Sequence, residues 1–578
     1  MNDLRFLFSY LGPYKRDIVL SSFFVIVETS LELFIPILMA DLVDYGVMTG
    51  NVEYMIAKGM QMGLLALLAL TLGLLYARYA ARAAYGWGAR IRREEYRKIQ
   101  GFSFSDIDSF ETSSLVTRLT SDVTILQNGI IGGLRPLVRS PLLFIMGVLL
   151  AFYMDKELSV VFLVTAPLLG IALFSILHRI APLFAYMQKA VDKINNAVEE
   201  NVMAIRAVKA FVREEYEEVR FSKANDDLMK LGVKANGIAL LNLPAFMIAM
   251  YSAVIAIMWF GGRKMLSGGL LVGELTGFLS YVMQVMNSMM MISNVFLLLS
   301  RSLASAKRVC QVMYVTPSVL EDENPVESVR DGNIDFSSVS FRYSAKASED
   351  TLSDITFHVS SGESVGILGA TGSGKSTLVN LISRLYDVSG GTLKVGGLDV
   401  RRYSFSALRK GIGIVLQKNM LFSGTIRENM KWGNPDATDE EIWKALAIAE
   451  ATSFVSAFPG GLDYDLGQGG VNVSGGQKQR LSIARTILTR PRILIFDDSL
   501  SAVDMETERR IRKNLSALEG TTKVIIAERL SSLRDVDKII VLDNGKIDAV
   551  GTRKELMARS TIFRQIYSAQ EKGGGRNA

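Results

Sequence analysis

Four long runs of this sequence carry no charged residue, and they constrain the fold more than any other feature. The runs contain 19, 19, 28 and 26 residues, and a helix needs about 20 residues to cross the hydrocarbon core of a bilayer. Each run is therefore long enough for a membrane-spanning helix. The runs are Gly59–Ala77, Ser159–Leu177, Ala235–Gly262 and Leu275–Ser300.

Two weaker stretches, 18–40 and 140–154, raise the predicted number of spans to six. Apolar residues from position 123 onward extend the second stretch. After Ser300 no comparable run occurs, so we predict an α-helical six-span transmembrane domain over residues 1–315. The charged residues that interrupt the two weaker stretches are Glu28, Glu32, Arg135 and Arg139.

The composition excludes several other classes of protein. Hydrophobic residues make up 49% and charged residues 21% of the 578 positions, which excludes a disordered chain, a collagen or a coiled-coil rod. The single cysteine, Cys310, excludes an intrachain disulfide. The two histidines, His178 and His358, disfavour a histidine-rich metal site. Because the net charge of +6 is modest, we expect no nucleic-acid partner.

Basic residues are distributed unequally between the predicted loops. The loops after the second and fourth spans are rich in arginine and lysine, whereas the opposite loops hold only Lys156, Arg263 and Lys264. Because basic residues remain on the cytoplasmic side, we expect a multi-pass protein of the inner (plasma) membrane with both termini in the cytoplasm. Residues 1–17 lack a signal-peptide cleavage pattern and suit an amphipathic helix on the membrane surface.

The two basic loops are each about 50 residues long, whereas connections between packed helices usually have about 2–8 residues. We predict that the membrane helices continue into the cytoplasm as long hairpins. Short helices are expected at the hairpin tips, over Phe102–Phe110 and Ala210–Tyr216. The alternative is a pair of small independent cytoplasmic inserts.

The second half of the chain has the pattern of an α/β domain. A polar linker over 316–332 precedes it, and from 333 to 578 short β-branched strands alternate with helices. The buried-strand pattern of Ser364–Leu368 leads directly into a GxxxxGK[ST] phosphate loop. The phosphate-loop residues are Gly369, Ala370, Thr371, Gly372, Ser373, Gly374, Lys375, Ser376 and Thr377.

These residue types suit a nucleotide and its magnesium ion. Glycines let backbone N–H groups turn toward the phosphates, Lys375 reaches the terminal phosphates and Ser376 supplies a hydroxyl to Mg²⁺. A second strand ends in Asp497 and Asp498, and a strand-end carboxylate is the expected second partner of the magnesium. The sequence therefore predicts a site for ATP and Mg²⁺.

A Ser-Gly-Gly turn at a helix start offers inward N–H groups that suit an anion. It lies in Val473–Gln477, called the signature segment below, which comprises Val473, Ser474, Gly475, Gly476 and Gln477. Together with the phosphate loop and the strand-end aspartates, it makes the chain resemble one half of an ATP-binding-cassette (ABC) exporter, with six membrane helices fused to one nucleotide-binding domain. The resemblance covers nearly the whole chain.

The resemblance assigns further roles. It implies that Tyr343 stacks on adenine, that Gln417 touches magnesium, and that Ser501–Asp504, including Asp504, forms the D-loop. It likens the segment from Glu199 to Phe211 to the second cytoplasmic hairpin of such exporters. It also implies that two halves pair head to tail, with each signature segment closing over the phosphate loop of the other half.

Two positions depart from the pattern of efficient ATP hydrolysis in the family. Asp498 stands where a glutamate is usual, and Glu528 stands where the switch loop has a histidine. Aspartate is shorter by roughly 1.5 Å, and a misplacement of about 1 Å can cost a hundredfold in rate. We therefore expect this phosphate loop to bind ATP and to hydrolyse it poorly; the alternative is a fully active enzyme that tolerates both changes.

Such paired defects resemble the degenerate-site subunit of bacterial heterodimeric exporters. The signature segment departs from the family only in Val473, which stands in place of leucine, so it could serve the competent site of a second half-transporter. A soluble DNA-repair ATPase and an importer half are the other classes that use such a cassette. The six apolar spans argue against the first, and fusion of both domains in one chain argues against the second.

The substrate is expected to be a small hydrophobic or cationic compound. Glu28, Glu32 and Asp41 lie in or near the first span, where carboxylates attract cations or form contacts between helices. Methionines in the sixth span offer adaptable surface, or pack as ordinary helix contacts. Multidrug export is the first hypothesis, and export of lipid or peptide is the alternative. These methionines are Met283, Met286, Met289, Met290 and Met291.

Overall fold

The computed structural model describes residues 2–344, 347, 349–499 and 503–574. Two compact units divide the chain. The helical unit comprises Met1–Gln100 and Glu111–Val315, and the α/β unit comprises Gly101–Phe110 and Thr316–Ala578.

Long helices account for most of the helical unit, and several contain proline, which membrane helices tolerate. A short helix, α4, lies in the part of the first hairpin that belongs to the α/β unit. The helices up to residue 313 are α1 (Asn2–Ser9), α2 (Lys15–Asp41), α3 (Val52–Gln100), α4 (Phe104–Asp108), α5 (Thr112–Thr117), α6 (Val123–Met154), α7 (Val160–Met203), α8 (Ile205–Ala210), α9 (Glu214–Leu240), α10 (Asn242–Leu266) and α11 (Val272–Met313).

Six helical segments of the described chain are long and apolar enough to cross a membrane, which confirms the predicted number of spans. Helix α3 has 49 residues, which at 1.5 Å per residue is roughly 74 Å, more than twice the thickness of a bilayer core. Helix α7 has 44 residues and also runs without a break. Continuous helices of this length agree better with hairpins that extend beyond the membrane than with independent inserts.

The two predicted tip helices fare differently. Helix α4 lies within Phe102–Phe110, as expected, and begins with a capping box in which Ser103 and Asp106 satisfy each other's backbone N–H groups. The prediction of a helix over Ala210–Tyr216 is wrong. Helix α8 ends at Ala210, the backbone turns at Val212 (φ 52°), and α9 begins at Glu214. Three glutamates in the first turn of α9 favour that start, because they face the positive end of the helix dipole.

Packing in the helical unit centres on α2, α3, α6 and α11, which contact one another. Tyr281 of α11 is fully buried and its hydroxyl donates to the Leu33 carbonyl of α2 at 2.6 Å. The N-terminal helix is held by Trp87, whose indole N–H donates to the Leu7 carbonyl at 2.9 Å. Helices α7, α9 and α10 form a second group, joined to the first mainly through α10 and α11.

The α/β unit contains two sheets. A four-stranded antiparallel sheet has the order β2-β1-β4-β5, and a six-stranded, mainly parallel sheet has the order β10-β9-β3-β8-β7-β6. The strands are β1 (Ile334–Phe341), β2 (Leu352–Val359), β3 (Ser364–Gly369), β4 (Gly390–Val395), β5 (Leu398–Asp399), β6 (Ile412–Val415), β7 (Ile493–Asp497), β8 (Thr522–Ile526), β9 (Lys538–Asp543) and β10 (Lys546–Gly551).

Helices cover the parallel sheet, whose strands β3 and β7 are apolar along nearly their whole length because both faces are buried. The helices are α12 (Lys375–Ile382), α13 (Phe405–Gly411), α14 (Ile426–Lys431), α15 (Asp439–Ile448), α16 (Thr452–Ala457), α17 (Gly475–Ile487), α18 (Met505–Ser516), α19 (Arg553–Arg559) and α20 (Thr561–Gly574).

Segments outside this core are attached to it by specific hydrogen bonds. The Ser318 N–H donates to the Asp106 carboxylate beside α4, at 3.2 Å to one oxygen. Within the predicted linker, Val326 pairs with Tyr403, and the Leu320 carbonyl accepts from the buried Arg384 at 2.7 Å. The segment before β1 is therefore packed on the α/β unit.

Cysteine labelling tests the predicted topology, because the native cysteine, Cys310, is buried. Asn51 and Ser109 are both exposed; in the sequence Asn51 directly precedes α3, and Ser109 follows α3 and α4. We expect the Asn51→Cys variant to react with a membrane-impermeant maleimide only from outside the cell, and the Ser109→Cys variant only from inside. Labelling of both positions from the same side would contradict a single crossing by α3.

Candidate nucleotide site

The order of the parallel strands brings the predicted nucleotide motifs to one sheet edge. Strands β3, β8, β7 and β6 are neighbours, and β3–β8, β8–β7 and β7–β6 all pair in parallel. Their carboxyl ends therefore lie side by side, which is where open α/β sheets bind ligands. The phosphate loop follows β3, and Glu528 follows β8. Asp497 ends β7, Asp498 comes directly after it, and Gln417 follows β6.

The phosphate loop has the backbone of an anion cradle. Gly374 has φ 98°, which only glycine adopts readily, and helix α12 begins at the next residue. At Gly369 a Cβ would lie 2.3 Å from the Leu542 carbonyl oxygen, so a side chain there would clash with β9. The loop thus directs N–H groups at the start of a helix toward one point.

Lys375 is buried within the loop that it belongs to. Its Nζ donates to the carbonyl oxygens of Gly369 and Ala370, at 2.9 and 2.8 Å. Burial lowers the pKa of this ammonium group, while Glu528, Asp498 and Asp497 act in the opposite direction. The charge of Lys375 is therefore surrounded by three carboxylates before any phosphate is considered.

Ser376 and Asp497 fit a magnesium site. The Ser376 hydroxyl donates to an Asp497 carboxylate oxygen at 2.9 Å, so two oxygen ligands are adjacent. Mg²⁺ is held in such sites by one or two protein oxygens together with phosphate oxygens, and it would neutralise charge on the phosphates. Burial raises the pKa of Asp497, and the hydrogen bond from Ser376 opposes that rise.

Asp498 and Glu528 stand together beside the phosphate loop. Asp498 is half-buried, with a left-handed backbone (φ 45°), and its N–H donates to the Ile526 carbonyl of β8 at 3.2 Å. Burial, followed by the Glu528 and Asp497 carboxylates, raises the pKa of Asp498. The Glu528 carboxylate accepts a hydrogen bond from the Thr371 hydroxyl at 2.9 Å. Two acidic side chains therefore lie together beside the phosphate loop.

A residue of the last helix holds the switch loop, residues 527–530. The Gln570 side chain donates to the Glu528 carbonyl at 2.7 Å and accepts from the Leu530 N–H at 2.8 Å. Helix α20 is itself held by Phe563, which is fully buried in the same apolar cluster as Leu530. Gln570 therefore fixes the backbone on both sides of Arg529.

Tyr343 is placed to receive a flat ring. Its ring is 46% exposed and its hydroxyl pairs with the Thr377 hydroxyl at 2.9 Å, next to the phosphate loop. Tyr386 packs edge-on against Tyr343 with 5.2 Å between ring centroids. The Tyr386 hydroxyl also donates to Asp108 at the end of α4, at 2.6 Å. An aromatic contact thus connects the candidate adenine position with the first hairpin tip.

The signature segment forms the exposed start of helix α17. The Ser474 side chain accepts from the Gln477 N–H, and the Gln477 side chain accepts from the Ser474 N–H at 2.8 Å, which is a complete capping box. Val473 is buried beneath it, and Gly475 is exposed. Of the predicted D-loop, Asp504 caps α18 through the Thr507 N–H at 2.9 Å, while Ser501 and Ala502 lie outside the described residues.

The acidic residues predicted as substrate contacts are paired with basic residues of neighbouring helices. Glu28 pairs with Arg135, and Glu32 with Arg139 at 2.5 Å. Asp41 pairs with Lys58 at 2.7 Å. None of these three carboxylates is therefore an uncompensated charge.

The sixth-span methionines do not form one continuous surface. Met286 is fully buried in the core of the helical unit, and Met289 packs against that core. Met291 lines a cavity, while Met283 is exposed. Helix packing accounts for part of the set, as the alternative interpretation expected.

Several residues of the site carry no motif that the sequence analysis could use. Gln570 is 42 positions from Glu528, and Tyr386 is 278 positions from Asp108. The phosphate-loop pattern includes Thr371, but it does not predict the hydrogen bond from Thr371 to Glu528, because this position of the pattern accepts any residue. Tyr386 carries one general signal, because a buried tyrosine usually finds a hydrogen-bond partner for its hydroxyl.

Two family descriptions match the chain. The ABC transporter transmembrane region matches residues 18–289, and the ABC transporter domain matches residues 352–501. The second range contains the phosphate loop, the signature segment and the strand-end aspartates. Fold and site together define an ATP-binding membrane transporter.

Curated relatives extend over the whole length. An uncharacterized ABC transporter ATP-binding protein of Bacillus subtilis, YfiB, is 35% identical over 97% of this chain and 98% of its own. A putative multidrug export ATP-binding/permease protein of B. subtilis, YgaD, is 30% identical over 99% of this chain and 100% of its own. An ATP-dependent lipid A-core flippase of Desulfotalea psychrophila is 32% identical over 98% of this chain and 99% of its own.

A solved structure confirms the fold. A bacterial Atm1-family ABC exporter with ATP bound superimposes with a TM-score of 0.82 at 23% identity, covering 96% of this chain and 99% of that chain. The chain belongs to the ABC transporter family and is an ABC exporter half, with one membrane domain and one nucleotide-binding domain.

We expect the ATP affinity of this site to rise as the pH falls toward the raised pKa of Asp498. The raised pKa of Asp498 keeps its proton to a higher pH than usual, and an adjacent phosphate raises that pKa further, so ATP binding takes up protons. Titration of the full-length protein with a fluorescent ATP analogue at several pH values measures the slope.

The Glu528→Gln variant should bind ATP roughly tenfold more tightly than wild type at about pH 8, because the amide removes one negative charge and keeps the hydrogen-bonding oxygen. ADP is the matched control, because it lacks the terminal phosphate and should gain little. Equal gains for ATP and ADP would show that Glu528 does not face the terminal phosphate.

Proposed function

We propose that this chain is the degenerate-site subunit of a heterodimeric, ATP-driven exporter. Its own phosphate loop binds ATP with Mg²⁺ and hydrolyses it slowly, and its signature segment completes the competent site of a second half-transporter. The observation that carries the proposal is the Asp498–Glu528 pair beside the phosphate loop.

Slow hydrolysis follows from what these two side chains offer to an attacking water. A general base must lie within hydrogen-bond reach of the proton that it removes, and the Asp498 side chain is one carbon–carbon bond shorter than glutamate. Burial, followed by the Glu528 and Asp497 carboxylates, raises the pKa of Asp498, so its environment disfavours further negative charge. Glu528 offers an acceptor and a negative charge where a transition state of high negative charge needs donors.

The intact signature segment supports the proposal that this chain completes the nucleotide site of its partner. The capping box through Ser474 and Gln477 leaves the first N–H groups of α17 at an exposed surface. A helix N-terminus with a glycine turn suits a phosphate. The chain therefore contributes an intact signature segment to one composite nucleotide site and an impaired phosphate-loop side to the other.

The second hairpin supports a protein partner. Its tip, at the junctions of α7, α8 and α9, exposes apolar side chains, with Met203 78%, Phe211 77% and Val212 80% exposed. The tip is more than 25 residues beyond Leu177, where the charge-free run of the fourth span ends, so lipid tails do not cover it. Exposed apolar clusters of this kind mark protein–protein contacts.

The cargo is proposed to be an amphipathic, hydrophobic small molecule, as in multidrug export. The relatives named for multidrug export and for lipid A-core flipping keep lipid export as the second candidate, and a homodimer that exports lipid or peptide is the alternative assembly. A cavity in the helical unit, lined by three methionines and polar side chains of α11, favours a ligand with both apolar and polar parts.

Steady-state ATPase of the purified assembly tests the division of labour. We expect the chain alone to hydrolyse ATP at roughly a hundredth of the rate of the assembly with its partner half. In the assembly, Lys375→Ala should leave most of the activity, because it affects only the slow site. Gly475→Asp should remove nearly all of it, because a carboxylate would repel the phosphates at the competent site.

Gly469→Asp is the matched control, since it adds the same charge at another glycine near α17 that lies outside the signature segment. Full ATPase activity of the chain alone would support the homodimer. Loss of activity with Lys375→Ala and retention with Gly475→Asp would reverse the assignment of the two sites.

A further inference from the structure

Two ion pairs join α2 and α6 at successive helical turns. Glu28 and Glu32 are four positions apart on α2, and Arg135 and Arg139 are four positions apart on α6, so each pair of like charges lies on one helix face. Arg139 also lies 3.7 Å from Glu28. Two carboxylates and two guanidinium groups give this ladder a net charge of zero.

The two rungs differ in exposure. The Glu28 side chain is 4% exposed, and Gly73 of α3 makes room for it, because a Cβ there would lie 3.1 Å from the Glu28 carboxylate. Arg135 covers the Tyr76 ring. By contrast, Glu32 and Arg139 are 27% and 20% exposed. Arg135 is 39% exposed, so the two rungs differ in their carboxylates: Glu28 of the inner rung is buried, whereas Glu32 of the outer rung, formed with Arg139, is accessible.

The outer rung lines a cavity of about 360 Å³ between α2, α3, α6 and α11. Ser280, Gln284, Asn287 and Ser288 project from one face of α11 into its wall. The hydroxyls of Ser280 and Ser288 are bonded to backbone carbonyls of α11. In the described part of the chain, the Gln284 and Asn287 amides have no hydrogen-bond partner.

The remaining wall is apolar. Met39, Met62 and Met291 face the cavity from three helices, together with Ile35 and Leu143. Polar groups at membrane depth usually face a cavity or a partner, because lipid cannot satisfy them. The cavity therefore offers a charged pair, two free amides and an adaptable apolar surface to one ligand.

We propose that this cavity binds zwitterionic amphiphiles, molecules with an ammonium group close to a phosphate or carboxylate and an apolar tail. The anionic group binds Arg139, whose planar guanidinium matches such oxygens, and the ammonium binds Glu32. A simple cation that takes Glu32 leaves Arg139 without its partner, and a simple anion leaves Glu32 without its partner. The inference rests on the proposed export function and specifies its cargo.

Equilibrium binding tests the inference without ATP. The full assembly in nanodiscs of phosphatidylglycerol is titrated with three radiolabelled probes that share one tail: octylphosphocholine, octyltrimethylammonium and octyl phosphate. We expect octylphosphocholine to bind at least about tenfold more tightly than either singly charged probe. Equal or tighter binding of octyltrimethylammonium would overturn the proposal.

Single substitutions should shift selectivity in opposite directions. Glu32→Gln gives the ladder a net charge of +1, since two guanidinium groups face one carboxylate, and should favour octyl phosphate. Arg139→Gln gives −1 by the same count and should favour octyltrimethylammonium. Asp41→Asn is the matched control, because the Asp41–Lys58 pair lies outside the cavity lining and should leave selectivity unchanged.

A combined exchange, Glu32→Arg with Arg139→Glu, keeps the ion pair and should keep the preference for octylphosphocholine. This variant tests the proposal if a single substitution fails to assemble, as judged by gel filtration. Identical selectivity in both single variants, or loss of the preference in the exchange, would overturn it.

Two further comparisons separate the outcomes. If a membrane lipid is the native ligand, nanodiscs of phosphatidylcholine should weaken probe binding. If the ligand is a free amphiphile, these nanodiscs should leave probe binding unchanged. In both cases the zwitterionic probe should still bind more tightly than the singly charged probes. The binding assay contains no nucleotide, so its result does not depend on ATP hydrolysis. Two equally active ATPase sites would contradict the proposed function and would leave the binding result unchanged.

Discussion

Parallel pairing of β3 with β8, and of β8 with β7, is the constraint on which the nucleotide site depends. Neighbouring strands that run in the same direction end at the same edge, so residues more than 100 positions apart in the chain, Lys375 and Asp497, meet there. The site's chemistry is then decided by which residue follows each strand, and in this chain three of those residues are acidic.

The bilayer imposes a second constraint, which acts on charge. A carboxylate at membrane depth is costly unless a cation is beside it, and Glu28, Glu32 and Asp41 each have one within the helical unit. Because these charges are compensated inside the protein, a ligand is selected by its shape and its dipole more than by its net charge. The same pairs hold α2 against α6 and α3. Three of the helices that surround the cavity are therefore joined to one another by ion pairs.

Local patterns in the sequence predicted the elements well, and contacts between distant elements poorly. The strand before the phosphate loop was predictable because an apolar run precedes a glycine-rich turn, and β3 lies there. Arg135 and Arg139 were visible as interruptions of a span, but their pairing with Glu28 and Glu32 depends on which helices become neighbours. The second hairpin tip was misplaced because the acidic start of α9, not the preceding apolar residues, decides where that helix begins. Gln570 had no local signal at all.

The way Gln570 binds the switch loop has a consequence for how this site could evolve. Among the described residues, its amide hydrogen-bonds main-chain atoms of Glu528 and Leu530, so this support of the loop does not depend on the side chain at 528. A substitution at position 528 changes the side chain beside the phosphate loop, while the backbone of the switch loop keeps its support. The residue at 528 can therefore change the chemistry of this site without a change in the fold of the α/β unit.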